Sequence, residues 1–259
     1  ALLDGGTAPD DPRLQAGAEW LLERQVLDTR GDWAVKRPHL RPGGWVFEYE
    51  NDHYPDVDDT AVICMVLDRI VPRDPERTRT AIARGCEWML GMQSRDGGFG
   101  AFDVDNVREF WNSIPFADMK AMLDRPVEDL TGRGLEILGH FGHDATHRQA
   151  GPALDFLTRK QDPDGSWWGR WGVNSIYGTW SVLTGLDQIG VGPEDPRVRH
   201  AARWLESIVN PDGGFGETPL SYEAPRLTGQ GPSTPSQTAW GLMALVAAGE
   251  GGGATAKGA

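Results

Sequence analysis

A short segment recurs four times along the 259-residue chain, and it restricts the possible folds more than any other feature. Each copy places an aromatic residue in a helical pattern and follows it with a glycine-containing turn and a second aromatic residue. The first aromatic residues are Trp20, Trp88, Phe156 and Trp204. A glutamine follows five residues later in the first three copies, whereas the fourth copy has Val209 there. Repeats of this kind are typical of stacked helical units.

The repeat predicts helices that are tied together by their glutamines. A glutamine near the C-terminal end of a helix can donate its amide to free main-chain carbonyls. The turn then lets the second aromatic residue fold back onto the next helix. The copies assign this role to Trp33, Phe99, Trp167 and Phe215. We therefore interpret the repeat as structural, with no direct part in chemistry.

More apolar helical patterns lie between the copies, over roughly residues 58–70, 129–142, 177–190 and 234–248. Only short pieces such as residues 45–49 resemble strands. Helices that alternate in this way predict an all-α chain folded as an α/α toroid, with one ring of helices inside another. We expect the toroid to occupy residues 1–250. The glycine-rich stretch 251–259 is predicted to be a flexible tail.

Composition excludes several classes of function. The net charge of −13 and the lack of a basic run argue against a nucleic-acid partner. The two cysteines, Cys64 and Cys86, match no metal motif and are expected to be buried thiols. No apolar run is long enough to span a bilayer, and no signal peptide is recognisable. The 11 Trp and 8 Phe residues indicate a protein that uses aromatic faces.

Three carboxylates, Asp56, Asp58 and Asp59, lie within four residues at the predicted start of a helix. One aspartate there is an ordinary helix cap, but three exceed what a cap requires. Ionised carboxylates this close repel one another, so the group tends to retain one proton. A desolvated, shared proton of this kind can act as a Brønsted acid near neutral pH.

The Asp56-Val-Asp-Asp59-Thr-Ala sequence, together with the repeated glutamine–glycine–aromatic unit, resembles the squalene–hopene cyclases, which are class II triterpene cyclases. The resemblance covers about residues 10–250 and implies the acid-bearing, mainly C-terminal half of such an enzyme. It implies cyclisation of squalene to hopene- or hopanol-type pentacyclic triterpenes, in hopanoid biosynthesis, by protonation of a terminal alkene. Aromatic faces would stabilise the carbocations.

The resemblance also assigns roles to individual residues. Asp58 matches the proton donor, with Asp56 and Asp59 as its hydrogen-bonding neighbours. Phe47 and Phe102 match positions where aromatic rings face the developing cations. The second of these is often tyrosine in the family, so this chain lacks a hydroxyl there.

Four further positions match other residues of the family's site. Trp171 matches an aromatic wall, and Tyr177 a hydrogen-bonding tyrosine near the acid. Asp129 matches an acidic neighbour, and Arg133 stands where known members have a histidine. Positions 129 and 133 share a helix face, so the arrangement is retained. Arginine stays protonated and cannot relay a proton, but it can balance nearby carboxylates.

Class I terpene synthases bind Mg²⁺ and a diphosphate through acidic motifs, but no basic residues for a diphosphate surround Asp56–Asp59, so we predict no metal and no cofactor. The Asp103–Asn106 stretch looks like a second acidic cluster but lacks the ligand spacing of a calcium loop, so we interpret it as a turn supporting Phe102. Expected partners are squalene or a similar polyprene and, through parts missing here, the cytoplasmic face of a bacterial cell membrane. A homodimer is possible. Family members are about twice as long, so we expect the isolated chain to be poorly stable or inactive.

Three alternatives stay open from the residues. The chain can belong to a cyclase of another linear polyprene. It can be a protein prenyltransferase on a similar toroid, although that enzyme needs a zinc site and no histidine lies near Cys64 in a suitable position. It can also be a toroidal binding protein without catalytic activity.

Overall fold

The computed structural model describes residues 2–106 and 123–251, so nearly all of the predicted tail lies outside the described residues. The described chain is mainly helical. Its helices are α1 Pro12–Glu23, α2 Trp33–Lys36, α3 Val57–Arg69, α4 Pro75–Gly91, α5 Glu128–His140, α6 Ala150–Lys160, α7 Ser175–Gln188, α8 Pro196–Ser207 and α9 Pro235–Ala247. Two short 3₁₀ turns, Pro219–Tyr222 and Pro225–Leu227, precede α9.

The predicted apolar helices are confirmed as α3, α5, α7 and α9, each beginning within two residues of its expected start. The strand predicted over 45–49 is shorter than expected. Strand β1, Trp45–Val46, pairs antiparallel with β2, Pro55–Asp56, so Phe47 and Tyr49 lie beyond the ladder. Among the described residues, no helix has the length and apolar character needed to cross a membrane.

Three of the repeat helices begin with an Asp-Pro pair, which explains where they start. Asp11, Asp74 and Asp195 each cap their helix by accepting a main-chain N–H with the side chain. The proline that follows lacks an N–H and has a φ angle suited to the first helical position. Local sequence therefore determines the beginning of α1, α4 and α8.

The chain divides into two compact units. The first comprises residues 1–93 and 100–125, and the second comprises residues 94–99 and 126–259. In the first unit α3 packs on α4, with Trp45, Leu67 and Trp88 in the core. In the second unit α7 packs between α5 and α9, and α6 and α8 lie against these helices. The single domain expected over residues 1–250 stays a prediction.

The glutamines of the repeat do tie successive repeat helices together. The Gln25 amide donates to Gly43 O at 2.7 Å and to Ala81 O, on α4, at 2.8 Å. The Gln161 amide donates to Gly165 O at 2.9 Å and, at 3.0 Å, to the carbonyl of Arg197 on α8. The structural interpretation of these two glutamines is confirmed.

The assignment of Trp33 to the first copy of the repeat is wrong. Trp45 occupies that position, because its indole N–H donates to Leu21 O at 2.7 Å, just as the Trp167 indole donates to Leu157 O at 2.8 Å. The first copy has extra residues between Gln25 and Trp45, so its second aromatic residue lies further along the sequence than in the other copies. Trp33 lies within this insertion and packs edge-on against Trp88, with ring centroids 5.9 Å apart.

A second repeat appears only in the structure. In each copy the main-chain N–H of the folded-back aromatic residue donates to a threonine hydroxyl in the first turns of the following apolar helix. The four distances lie between 2.9 and 3.1 Å. The pairs are Trp45 with Thr60, Phe99 with Thr131, Trp167 with Thr179, and Phe215 with Thr238. These bonds attach every repeat turn to the start of an apolar helix.

Candidate functional site

The aspartate cluster lies at the N-terminus of α3 in the first unit. Asp56 is the N-cap, and its Oδ1 accepts the main-chain N–H of Asp59 at 2.8 Å. Strand β2 holds Asp56 opposite Trp45, so the carboxyl is fixed from both sides and only 7% exposed. Asp58 and Asp59 follow in the first turn and are half-buried. The three carboxyl groups therefore differ sharply in burial.

Burial makes this cluster retain a proton. Desolvation raises the pKa of Asp56 from 3.8 to about 8. The hydrogen bond from the Asp59 N–H lowers this pKa, whereas the negative charges of Asp59 and Asp58 raise it further. Desolvation, followed by the charge of Asp58, also raises the pKa of Asp59. The coupled group thus holds about one proton at neutral pH, as the sequence predicts. The role of Asp58 as the donor stays a prediction.

Phe102 is placed beside the aspartate cluster. The Val57 N–H donates to Ala101 O at 2.8 Å, which brings this segment against the start of α3. The Asp124 carboxylate accepts the N–H groups of Phe102 and Asp103 at 2.6 and 3.0 Å. The position of Phe102 is therefore held by main-chain contacts on both sides.

Phe47 lies one residue after β1, and its side chain is 73% exposed. It lines a cavity of about 690 Å³ together with Trp20 and Tyr49, whose rings meet edge-on at 6.0 Å. The Arg24 guanidinium lies over the Trp20 ring at 4.0 Å. None of the three aspartates of the cluster lines this cavity. The cation-facing role of Phe47 stays a prediction.

The remaining predicted residues come together in the second unit. Asp129, in the first turn of α5, is almost fully buried. Its Oδ2 accepts the N–H groups of Arg170 and Trp171 at 2.9 and 3.0 Å. The Ser181 hydroxyl, on α7, donates to Asp129 O at 2.7 Å. The carboxylate predicted as an acidic neighbour of the site thus fixes the main chain that carries Trp171.

Arg133, one turn further along α5, is buried and forms an ion pair with Glu136 on the same helix. Its guanidinium also lies 5.7 Å from the centre of the Trp180 ring. Trp180 in turn contacts Tyr177, with ring centroids 5.5 Å apart, and stacks on Trp240 at 6.1 Å. The structure therefore places Arg133 and Tyr177 on the same aromatic cluster.

Three predicted polar groups occupy equivalent positions in successive apolar helices. Asp58, Asp129 and Tyr177 each stand two residues before the threonine that binds the repeat turn. The helix starts thus share the same threonine hydrogen bond, but each presents a different polar side chain two residues before it. Tyr177 lies in the first turn of α7, as the helical pattern over residues 177–190 predicts.

Several residues around the second group were not predicted from the sequence. Glu136, Trp180 and Trp240 contact or surround Arg133 and Tyr177, and Glu217 and Tyr222 hold the segment before α7. The i, i+3 spacing of Arg133 and Glu136 is a signal that sequence reasoning could have used. Trp180 stands three residues after Tyr177 on α7, and this spacing is a second such signal. Trp240, Glu217 and Tyr222 are distant in sequence and leave no local pattern.

Two cationic side chains, Lys36 and Arg37, bind the Asp103–Asn106 stretch through hydrogen bonds and ion pairs. The Lys36 ammonium donates to Asp103 at 3.0 Å and to Val104 O at 2.7 Å, and Arg37 pairs with Asp105 at 3.1 Å. This stretch therefore anchors α2, which supports its interpretation as a turn. Within residues 2–106 and 123–251, no group of three or more His, Cys, Asp or Glu side chains is arranged to hold a metal ion.

The fold is that of the type II terpene cyclases. A type II terpene cyclase from Scytonema in complex with merosterolic acid A matches 90% of this chain and 57% of its own, with a TM-score of 0.54 and 20% identity. A protein from Actinoplanes matches 94% of this chain and 61% of its own, with a TM-score of 0.58 and 19% identity. These likenesses confirm the predicted all-α, α/α toroid class.

The chain belongs to the squalene–hopene cyclase C-terminal domain family, whose model matches residues 1–258. A squalene–hopene cyclase from Bradyrhizobium diazoefficiens is 51% identical over 257 residues, which cover 96% of this chain and 38% of the relative. That of Alicyclobacillus acidocaldarius is 48% identical over 249 residues, covering 96% and 39%. The chain thus spans less than two fifths of the length of these relatives.

Proposed function

We propose that the protein containing this chain cyclises squalene to hopene- or hopanol-type pentacyclic triterpenes. The observation that carries the proposal is the buried Asp56 at the head of α3, which keeps one proton within a cluster of three carboxyl groups. A neutral alkene is a very weak base, so its protonation needs an acid that still holds its proton at the working pH. The relatives named squalene–hopene cyclase point to the same substrate.

In this proposal the one proton that the cluster holds passes from Asp56 to Asp58, which delivers it to a terminal alkene carbon, and the cluster of Asp56, Asp58 and Asp59 is left ionised. The alkene electron pair forms the new C–H bond and leaves a tertiary cation. Successive alkenes then attack the cation and close the rings. Loss of a proton from the last cation yields an isomer of squalene, whereas capture by water yields an alcohol.

Aromatic rings suit the later steps because their faces stabilise cations without reacting with them. Each well-placed ring contributes about 0.5–2 kcal/mol, and exclusion of water increases the effect. We assign this role to Phe47, Phe102 and Trp171, with Tyr177 as a hydrogen-bonding wall. Arg133, paired with Glu136, adds positive charge that can balance carboxylates but cannot relay a proton.

A linear polyprene other than squalene is the second candidate. The observation that favours it is Arg133, which stands where known members of the family have a histidine and whose guanidinium lies 5.7 Å from the centre of the Trp180 ring. Arginine is longer than histidine and always charged, which leaves less room at this position and suits a shorter chain. We further propose peripheral contact with the cytoplasmic face of a bacterial membrane, through parts of the protein outside this chain. We also propose a homodimer.

Product analysis of the complete gene product tests the function. Membranes that contain it are incubated with squalene, and the extract is separated by gas chromatography and identified by mass spectrometry. We expect a pentacyclic product that disappears in Asp58→Asn. Asp68→Asn is the matched control, because it removes the same charge from the exposed side of the same helix. A pentacyclic product that persists in Asp58→Asn would refute the assignment of the acid.

The same incubation with geranylgeranyl- and farnesyl-type polyprenes separates the two candidates. Turnover of a shorter polyprene together with none of squalene would replace the first candidate with the second. Absence of any product from all substrates would favour the non-catalytic binding protein.

A further inference from the structure

The segment of residues 169–176, which we call the Trp171 segment, runs into the first turn of α7. It carries Trp171, whose side chain is 45% exposed, and delivers Tyr177. Residues 169–174 lie outside regular secondary structure, and helical hydrogen bonds begin only at Asn174, whose carbonyl accepts the Gly178 N–H at 3.0 Å. An irregular segment keeps one conformation only if its polar groups are held by other parts of the protein.

Glu217 holds the C-terminal part of this segment. Its carboxylate is 4% exposed, and Oε2 accepts the N–H groups of Asn174 and Ile176 at 3.3 and 3.1 Å. These donors lie at the N-terminus of α7, where a negative charge complements the helix dipole. Gln237 fixes Glu217 in turn by bonding both its N–H and its carbonyl at 3.0 Å. The segment before α7 is thus tied to α9 through this buried carboxylate and through the Gln237 amide itself, which also donates to Val173 O at 3.0 Å.

Tyr222 holds the N-terminal part. Its hydroxyl oxygen lies 2.9 Å from Gly169 O, 3.2 Å from Arg170 O and 2.9 Å from Gly172 O. One hydroxyl proton is therefore shared among three converging carbonyl oxygens, which would repel one another without it. Burial raises the pKa of Tyr222 to about 12, so the hydroxyl keeps its proton at neutral pH. The ring packs edge-on against Trp168 at 5.7 Å.

We propose that Glu217 and Tyr222 are positioning residues that set the orientation of Trp171 and Tyr177 in the cyclisation site. Asp129 supplies the third support, through the N–H groups of residues 170 and 171. The inference rests on the proposed function, because orientation matters when a ring must face a cation. A ring that turns away loses its attraction for the cation, and small misplacements at a reacting centre have large effects on rate.

The consequence for chemistry is a change of product rather than a simple loss of rate. A cation that is poorly stabilised at one stage loses a proton before the next ring closes. Disturbing the Trp171 segment should therefore increase the share of incompletely cyclised products. A residue that only stabilises the fold would lower the amount of active protein and leave the product ratio unchanged.

The experiment uses the complete gene product and the variant Tyr222→Phe, which keeps the packed ring and removes the hydroxyl. Tyr54→Phe is the matched control, because its hydroxyl donates to the exposed Asp32 in the first unit. Hydrogen–deuterium exchange of peptides covering residues 169–177 should be about tenfold faster in Tyr222→Phe, which corresponds to about 1.4 kcal/mol. With squalene, the share of incompletely cyclised products should rise several-fold.

Glu217→Ala and Glu217→Gln form the second pair. The alanine variant should give faster exchange over residues 174–176 and more incomplete products. The glutamine variant should restore both in part, because its amide oxygen can accept the same two N–H groups. This pair decides the proposal if Tyr222→Phe does not fold.

Unchanged exchange in the segment would overturn the proposal, and so would a constant product ratio in variants that lose activity. The two hypotheses fail separately. A protein that converts no squalene in any form would refute the proposed function, whereas a product ratio that is insensitive to these variants in an active enzyme would refute only the positioning role.

Discussion

The raised pKa of Asp56 predicts that the protein loses stability as the pH increases from about 4 to about 8. The folded state binds this proton more tightly than the unfolded chain, because burial raises the pKa from 3.8 to about 8. Between these values the folded protein holds about one proton more than the unfolded protein. The free energy of unfolding should therefore fall by about 1.4 kcal/mol per pH unit, or about 3 kcal/mol between pH 5 and pH 7.

Asp56→Asn removes the titrating group and keeps the helix cap, since an asparagine oxygen can accept the Asp59 N–H in the same way. The assay is urea unfolding followed by tryptophan fluorescence at several pH values from 5 to 8. The variant should gain stability relative to the natural protein, with a difference that grows by about 1.4 kcal/mol per pH unit. The acidic end of the range is where the two proteins should be most similar.

Asp10→Asn, at an exposed carboxylate of the same unit, is the control and should show a difference that does not depend on pH. The reasoning would be refuted if the stability of the natural protein rose between pH 5 and pH 8 while that of Asp56→Asn did not. It would also be refuted if Asp56→Asn shifted stability by the same amount at every pH. Either result would mean that Asp56 is ionised in the folded protein throughout this range.

Two further predictions concern packing in the first unit. Gln25→Ala leaves two main-chain carbonyls without their amide donor and should lower the free energy of unfolding by about 1–3 kcal/mol. Gln15→Ala is the control: it loses one exposed hydrogen bond and should change the free energy of unfolding by less than about 1 kcal/mol. Equal effects of the two variants would contradict the structural role of Gln25. Gly85→Ala places a methyl group 2.6 Å from Cys64 Sγ and should cost about 1–3 kcal/mol in thermal or urea unfolding. Gly17→Ala is the control, because this helix position faces open space, and it should stabilise the protein by up to about 1 kcal/mol. A Gly85→Ala variant as stable as the natural protein would show that the contact with Cys64 can relax.

The helices and the aspartate cluster at the start of α3 could be predicted from the sequence because their signals are local. Asp-Pro pairs cap three repeat helices, and apolar spacing located α3, α5, α7 and α9 within two residues of their observed starts. Three carboxylates at one helix start predicted a shared proton, and the burial of Asp56 agrees with this. Charge repulsion between near neighbours needs no tertiary information.

The first copy of the repeat shows where local reasoning fails. Trp33 fits the sequence pattern, but Trp45 makes the bonds, because the insertion after Gln25 changes the spacing without changing the contacts. The four threonines that bind the repeat turns were also missed. A threonine in a helix has many possible roles, and its partner lies 12 to 32 residues away.

By itself, the sequence determined the class of fold, the helix starts and the position of the aspartate cluster, since periodicity, caps and neighbouring charges act over a few residues. Only the tertiary structure decided which carboxyl is most buried and which side chains hold Trp171. Desolvation of Asp56 depends on what strand β1 and α3 place around it. The supports of the Trp171 segment come from Asp129, Glu217 and Tyr222, which lie more than 40 residues away and meet it only when the second unit packs.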